Sequence, residues 1–151
     1  MGPKRLKFAS LYSGCGGLDL GFEAAGFEPC GSFDIEEIAL ETLKKNIGSP
    51  VGVADLSKPS EAVLSSVRQA DVLLAGPPCQ GFSTAGKNDP KDPRNNHLKN
   101  VGQIASMCRP KLVVIENVKG LLGPKHAKTF DDTVSLLKQS GYKVSWGVHD
   151  V

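Results

Sequence analysis

Lys7-Phe-Ala-Ser-Leu-Tyr12-Ser-Gly-Cys-Gly16-Gly-Leu-Asp-Leu-Gly-Phe22-Glu-Ala-Ala25 is the stretch that decides the fold. Lys7 to Tyr12 is a short, mostly apolar run with the character of a strand. The glycines that follow stop it, and Leu18 to Ala25 has helical spacing closed by Gly26. Glycine at such a junction lets the backbone turn tightly and lets a ligand come close. A dinucleotide fingerprint would require a glycine at position 19, where Asp19 stands, so a pyrophosphate site is disfavoured. A nucleoside without phosphates and a purely structural turn both fit the loop.

Working outward, the same strand-helix alternation repeats. Pro29 to Asp34 reads as a strand, Glu36 to Asn46 as a helix, Val51 to Ala54 as a short strand, Ser60 to Arg68 as a helix, and Asp71 to Ala75 as a buried strand. Gly76 to Asn96 is polar, rich in Pro and Gly, and too long for an ordinary connector. Beyond it lie a helix from His97 to Cys108, a strand from Leu112 to Glu116, a helix from Ala127 to Ser140 and a last strand from Lys143 to His149. No internal repeat or low-complexity segment interrupts the pattern. Repeated units of this kind predict an α/β fold: a mostly parallel sheet with helices on both faces and right-handed crossovers.

Composition bounds the function without choosing it. A chain of 151 residues with 40% hydrophobic content fits one domain with a single core. The formal charge of +2 is a small excess with no dense basic stripe, so a nucleic-acid partner is permitted but not argued for. Met1 to Lys7 is basic but leads into neither a long apolar run nor a cleavage site. Leu6 also breaks the myristoylation pattern, so an intracellular protein is expected. Cys15, Cys30, Cys79 and Cys108 are unevenly spaced and form no Cys-x-x-Cys pair. They are expected to be free thiols, with no metal site.

Parallel sheets bind ligands at the carboxyl ends of their strands, and the special residues of this chain fall there. Tyr12-Ser-Gly-Cys-Gly, Asp34, Asp55, Gly76-Pro-Pro-Cys79 and Glu116-Asn117 mark five strand ends that point into one crevice. Asp34 stands where nucleotide-binding sheets put an acid for ribose hydroxyls, with Glu36 close by. It also suits a cap for the helix beginning at Glu36. Asp55 equally suits a cap for the turn before Ser57-Lys58-Pro59 or an acceptor for an adenine amino group. Cys79 follows two prolines that fix the backbone at a strand end, in a polar, glycine-flanked loop that argues against an inert core thiol. Such a thiol is a candidate nucleophile. Glu116, at the end of the neighbouring strand, is either its proton-handling partner or a cap for the next turn.

Taken together these runs resemble the cytosine-5 DNA methyltransferases, in that family's motif order. Leu11 to Phe22 is similar to its first motif, Asp34-Ile-Glu36 to its second and Asp55 to its third. Gly76 to Ser83 is similar to the nucleophile motif, Asp92-Pro-Arg94 to Leu98 to the fifth, and Glu116-Asn-Val118 to the sixth. The resemblance implies a Rossmann-like S-adenosylmethionine-dependent methyltransferase fold. It also implies a reaction in which Cys79 adds to carbon 6 of a flipped-out cytosine while Glu116 holds or protonates ring nitrogen 3. By the same carry-over, Tyr12, Gly14, Gly16 and Leu18 line the methionine and ribose region. Asp34 and Glu36 take the ribose hydroxyls, Asp55 takes the adenine amino group, and Pro78 and Leu98 complete the wall. Gln80, Ser83, Lys87, Lys91 and Arg94 are the DNA-contact residues it implies, on a loop that would close over the DNA backbone.

Two departures stand out. Asn95, Asn96 and His97 separate Arg94 from Leu98, one residue more than the family pattern. The sequence also stops at Val151, before the family's Gln-x-Arg-x-Arg segment and target-recognition domain. The expectation is therefore a catalytic subunit or fragment, truncated before that domain, that works with a second polypeptide supplying both. A truncated, catalytically inactive cofactor-binding module and a transfer-RNA cytosine-5 methyltransferase are the alternatives.

Overall fold

Lys7–Leu11 (β1), Glu28–Asp34 (β2), Val51–Val53 (β3), Val72–Ala75 (β4) and Leu112–Ile115 (β5) form five parallel strands in the order β3-β2-β1-β4-β5. They belong to a computed structural model that describes residues 5–79 and 96–149. The chain steps outward from β1 to β3, then returns to the other side of β1 with β4. Strand order therefore reverses between β1 and β4, and the carboxyl ends of those two strands flank the switch point where such sheets bind ligands.

The described residues form two compact units: one runs up to Pro77 and includes Cys108–Glu116, and the rest make the other. All five strands lie in the first unit, with helices Gly17–Ala24 (α1), Glu37–Ile47 (α2) and Glu61–Gln69 (α3). On one face, Phe8, Val72 and Leu74 pack against Leu18 and Phe22 of α1 and against Phe27. The Phe8 and Phe22 rings lie 6.0 Å apart, and those of Phe22 and Phe27 meet edge-on at 5.1 Å. Alternation along the strands turns Ala9, Gly31 and Leu73 to the opposite face. There a Cβ built on Gly31 would come within 2.9 Å of Ser66 Oγ of α3, and Val63 and Val67, one turn apart, are buried. Helices thus cover both faces, as expected. At the amino edge the Asp71 carboxylate accepts the Lys7 amide at 3.0 Å and pairs with Lys111 at 2.7 Å, joining the starts of β1 and β5 beside β4.

The second unit holds most of the helix Asn96–Cys108 (α4), a 3-10 turn at Lys119–Leu122 and the helix Ala127–Gln139 (α5). A Cβ built on Gly102 would lie 3.0 Å from Leu136 Cδ2, so the missing side chain lets α4 and α5 approach closely. The predicted strand from Lys143 to His149 does not form. Its alternating pattern is present, but a strand's amides need a neighbouring chain, and no described strand pairs with it. Instead Trp146 packs edge-on against Phe130 of α5 at 5.5 Å. β5 is likewise the sheet's edge among the described residues. Its Val113, Val114 and Ile115 stay partly exposed, whereas every residue of β4 is buried.

Candidate functional site

Directly after β1 the chain makes a turn in which three residues adopt left-handed backbone: Tyr12 (φ 54°), Gly14 (φ 51°) and Gly16 (φ 90°). For Tyr12 this conformation carries steric strain, which the surrounding bonds hold in place. Ser13 N donates to Phe33 O at 3.2 Å and Gly16 N to Ser13 O at 2.9 Å, while Gly14 N donates to Asp34 Oδ2 at 2.8 Å. Gly16 is required twice over, since a Cβ there would also sit 2.8 Å from Leu43 Cγ of α2. Above Gly14 and Gly17 the situation is opposite: a Cβ at either meets nothing within 4 Å. That side of the turn is open to a ligand.

Ser13 supplies a second sign of a ligand. Its Oγ is buried and has no hydrogen-bond partner among the described residues. A buried hydroxyl left in this state costs about 1 to 3 kcal/mol, and a polar group bound against the turn would remove that cost. The open glycines and the unsatisfied hydroxyl together fit a small polar ligand seated on the end of β1. Sequence reasoning did not single out Ser13. The hydroxyl was visible inside the glycine-rich run, but its lack of a local partner is visible only in three dimensions.

Asp34 makes two bonds to backbone amides, one of them at the start of the helix that its position suits it to cap. Oδ1 accepts the Glu36 amide at 3.0 Å at the start of α2, and Oδ2 accepts the Gly14 amide. Each oxygen retains a second acceptor direction. Glu36 follows with its side chain exposed. Asp55 caps its own turn, with Oδ1 accepting Ser57 N at 2.9 Å. Each acid therefore accepts a backbone amide two residues further on, in the turn that follows it.

On the other side of β1, Glu116 stands just past β5, with its amide bonded to Ala75 O at 2.9 Å. A Cβ built on Gly76 would lie 3.6 Å from Tyr12 O and 3.9 Å from Glu116 Oε2. The absent side chain thus leaves the Glu116 carboxylate beside the end of β4, facing the same edge as the Tyr12–Gly17 turn. Tyr12, Gly14, Gly16, Leu18, Asp34, Glu36, Asp55 and Glu116 all belong to the first unit. Pro78, Cys79 and Leu98 belong to the second, where Pro78 and Cys79 are half-buried and Leu98 is buried on α4. Gln80, Ser83, Lys87, Lys91 and Arg94 lie outside the described residues.

The other thiols differ from Cys79 in setting. Cys15 is exposed in the turn. Cys30 donates to Phe8 O at 3.1 Å, and burial pushes its thiol above the ordinary value against the opposing pull of Lys7. Burial likewise pushes the Cys108 thiol up. Among the described residues no group of His, Cys, Asp and Glu side chains could hold a metal ion, and no helix is long and apolar enough to cross a membrane.

Known proteins match this arrangement along nearly the whole chain. The Type II methyltransferase M.HindV of Haemophilus influenzae is 38% identical over 146 residues, which cover 96% of this chain and 47% of the relative. M.NgoFVII of Neisseria gonorrhoeae is 35% identical over 147 residues, covering 95% of this chain and 38% of that protein. Among solved structures, one described as a DNA modification methyltransferase encoded within an Escherichia coli prophage superimposes with a TM-score of 0.76 at 28% identity. It covers 89% of this chain and 38% of its own. The Schizosaccharomyces pombe Dnmt2 methyltransferase shares the fold, with a TM-score of 0.66 at 24% identity, over 87% of this chain and 40% of its own. The chain therefore spans less than half the length of these relatives. Residues 6–151 match the family described as C-5 cytosine-specific DNA methylase, and the chain belongs to that family.

Proposed function

We propose that this chain is the S-adenosylmethionine-binding, nucleophile-bearing part of a DNA cytosine-5 methyltransferase. The carrying observation is the strand-end edge itself. The open turn at Tyr12–Gly17, the two acids Asp34 and Asp55, and Glu116 stand along one carboxyl edge of a parallel sheet. The family and its fold depend on S-adenosylmethionine. The residues present suit it: Tyr12, Ser13, Gly14, Gly16 and Leu18 for the methionine and ribose region, and the remaining acceptor directions of Asp34, with exposed Glu36, for the ribose hydroxyls. Asp55 suits the adenine amino group, and Pro78 and Leu98 the wall. When bound, the cofactor supplies an electrophilic methyl group.

Carbon 5 of cytosine is a weak nucleophile, and the roles we assign to this chain's residues correct that. The Cys79 thiolate adds to carbon 6, forming a carbon-sulfur bond and moving an electron pair toward carbon 5. Glu116 donates a proton or hydrogen bond at ring nitrogen 3, which steadies the charge that addition creates. After carbon 5 has gained its methyl group it loses its proton, and the electron pair expels Cys79 as thiolate. The base must leave the helical stack for its ring face to be reached. Gln80, Ser83, Lys87, Lys91 and Arg94 are assigned to DNA contacts, the cations to the phosphate backbone. We assign to a second polypeptide the Gln-x-Arg-x-Arg segment and the recognition domain, in keeping with relatives more than twice as long as the matched segment.

The test has two arms. Calorimetry on the chain alone should detect S-adenosylmethionine binding. In a complemented enzyme, DNA containing 5-fluorocytosine should trap an adduct that Cys79→Ser abolishes while cofactor binding persists. An undiminished adduct in the mutant overturns the assignment of Cys79, and transfer to transfer RNA in place of DNA overturns the substrate.

A further inference from the structure

The face of the sheet under α1 is apolar at Phe8, Val72 and Leu74, yet it contains a polar island. Asp19 of α1 is 0% exposed. Its Oδ2 accepts Ser10 Oγ of β1 at 2.8 Å and its Oδ1 accepts Ser32 Oγ of β2 at 2.5 Å; Ser32 Oγ in turn lies 3.0 Å from Ser49 Oγ. Ser10 and Ser32 are register partners, so one carboxylate ties α1 to two adjacent strands. Packing alone does not call for it. An apolar side chain would fill the same space without the cost of removing a carboxylate from water.

Two features of Asp19 point to a use beyond the fold. Its hydrogen-bond donors are neutral hydroxyls, and none of the described ion pairs includes it. The first-turn amides of α1 favour its charge only in part. It also stands two residues beyond Gly17, the end of the open turn, while Ser10 stands two residues before Tyr12, where the turn begins. A charge buried in a low-dielectric interior acts over longer distances than one in water. Asp34, by contrast, is partly exposed and engaged with backbone amides.

We infer that Asp19 is a positioning residue of the cofactor turn whose buried charge favours the sulfonium cofactor over the neutral thioether left after methyl transfer. The inference rests on the cofactor-binding reading above. The two ligands are near-identical in shape and differ by one positive charge and one methyl group. An unpaired carboxylate fixed under the turn adds affinity to the cation alone, which helps product leave.

Calorimetry with S-adenosylmethionine and with S-adenosylhomocysteine, on the unaltered chain and on Asp19→Asn, separates this role from a structural one. Asp19→Asn should reduce the preference for the sulfonium ligand about three- to tenfold. Should the amide fail to fold by circular dichroism, Asp19→Ser removes the charge while keeping a hydroxyl that can join Ser10 and Ser32, and the same reduction is expected. Equal weakening of both ligands, or an unchanged ratio, overturns the charge role. No binding of either ligand by the unaltered chain overturns the cofactor reading, and this inference with it.

Discussion

Gly14 donates its backbone amide to the Asp34 carboxylate at 2.8 Å, binding the turn after β1 to the end of β2. The same carboxylate holds the first residue before α2, so one side chain fixes the junction of two strand-helix units. Charge-assisted bonds of this kind are worth about 1.5 to 3 kcal/mol each. Asp34→Ala should therefore loosen the turn as well as remove an acceptor for the ribose, and weaken S-adenosylmethionine binding roughly ten- to a hundredfold. Asp55→Ala should weaken it to a similar degree through the adenine amino group. Calorimetric affinities unchanged in both variants would contradict the placement of the cofactor.

The turn glycines should separate binding from folding. Gly16→Ala meets both a left-handed φ and a Cβ 2.8 Å from Leu43 Cγ, so it should lower stability by about 2 to 4 kcal/mol in denaturant unfolding. Gly14→Ala has open space and only its φ to oppose it, a cost of about 1 kcal/mol. Its Cβ nevertheless projects into the space assigned to the ligand. The expected result is a near-normal unfolding curve with severely reduced cofactor binding, the reverse of a mutation that acts through the fold.

Much of this was legible in the sequence because the governing signals are local. Glycines 14 and 16 mark positive φ, the apolar runs mark parallel strands, and Asp34 at the end of β2 and Asp55 just past β3 each accept an amide of the turn that follows. Lys143 to His149 shows the limit of such signals. Its alternation has strand character, but the partner whose amides would complete a ladder is not supplied by the described strands, so the pattern alone does not produce the element. Ser13 and Asp19 show a second limit. One is a buried hydroxyl with no partner among the described residues and the other a buried acid whose partners come from β1 and β2, and spacing along the chain reveals neither.

Thiol reactivity should follow the settings of the four cysteines. Burial pushes Cys30 and Cys108 upward, so both keep their protons to higher pH than an ordinary thiol and offer little thiolate near pH 8. Cys15 is exposed and Cys79 half-buried. Alkylation with iodoacetamide followed by peptide mass spectrometry should label Cys15 and Cys79 first, with Cys30 and Cys108 protected until the pH is raised or the chain unfolds. Early labelling of Cys30 would contradict the packing of β2 against α3.

Tritiated-methyl transfer from S-adenosylmethionine to cytosine-containing duplex DNA tests the proposed chemistry most directly. It should be run with the chain alone, with a polypeptide carrying the Gln-x-Arg-x-Arg segment and recognition domain, and with the two mixed. The expected result is label in DNA only from the mixture, abolished when Cys79→Ser replaces the unaltered chain. Transfer by the Cys79→Ser mixture at the unaltered rate, or sequence-specific methylation by the 151-residue chain alone, would contradict it.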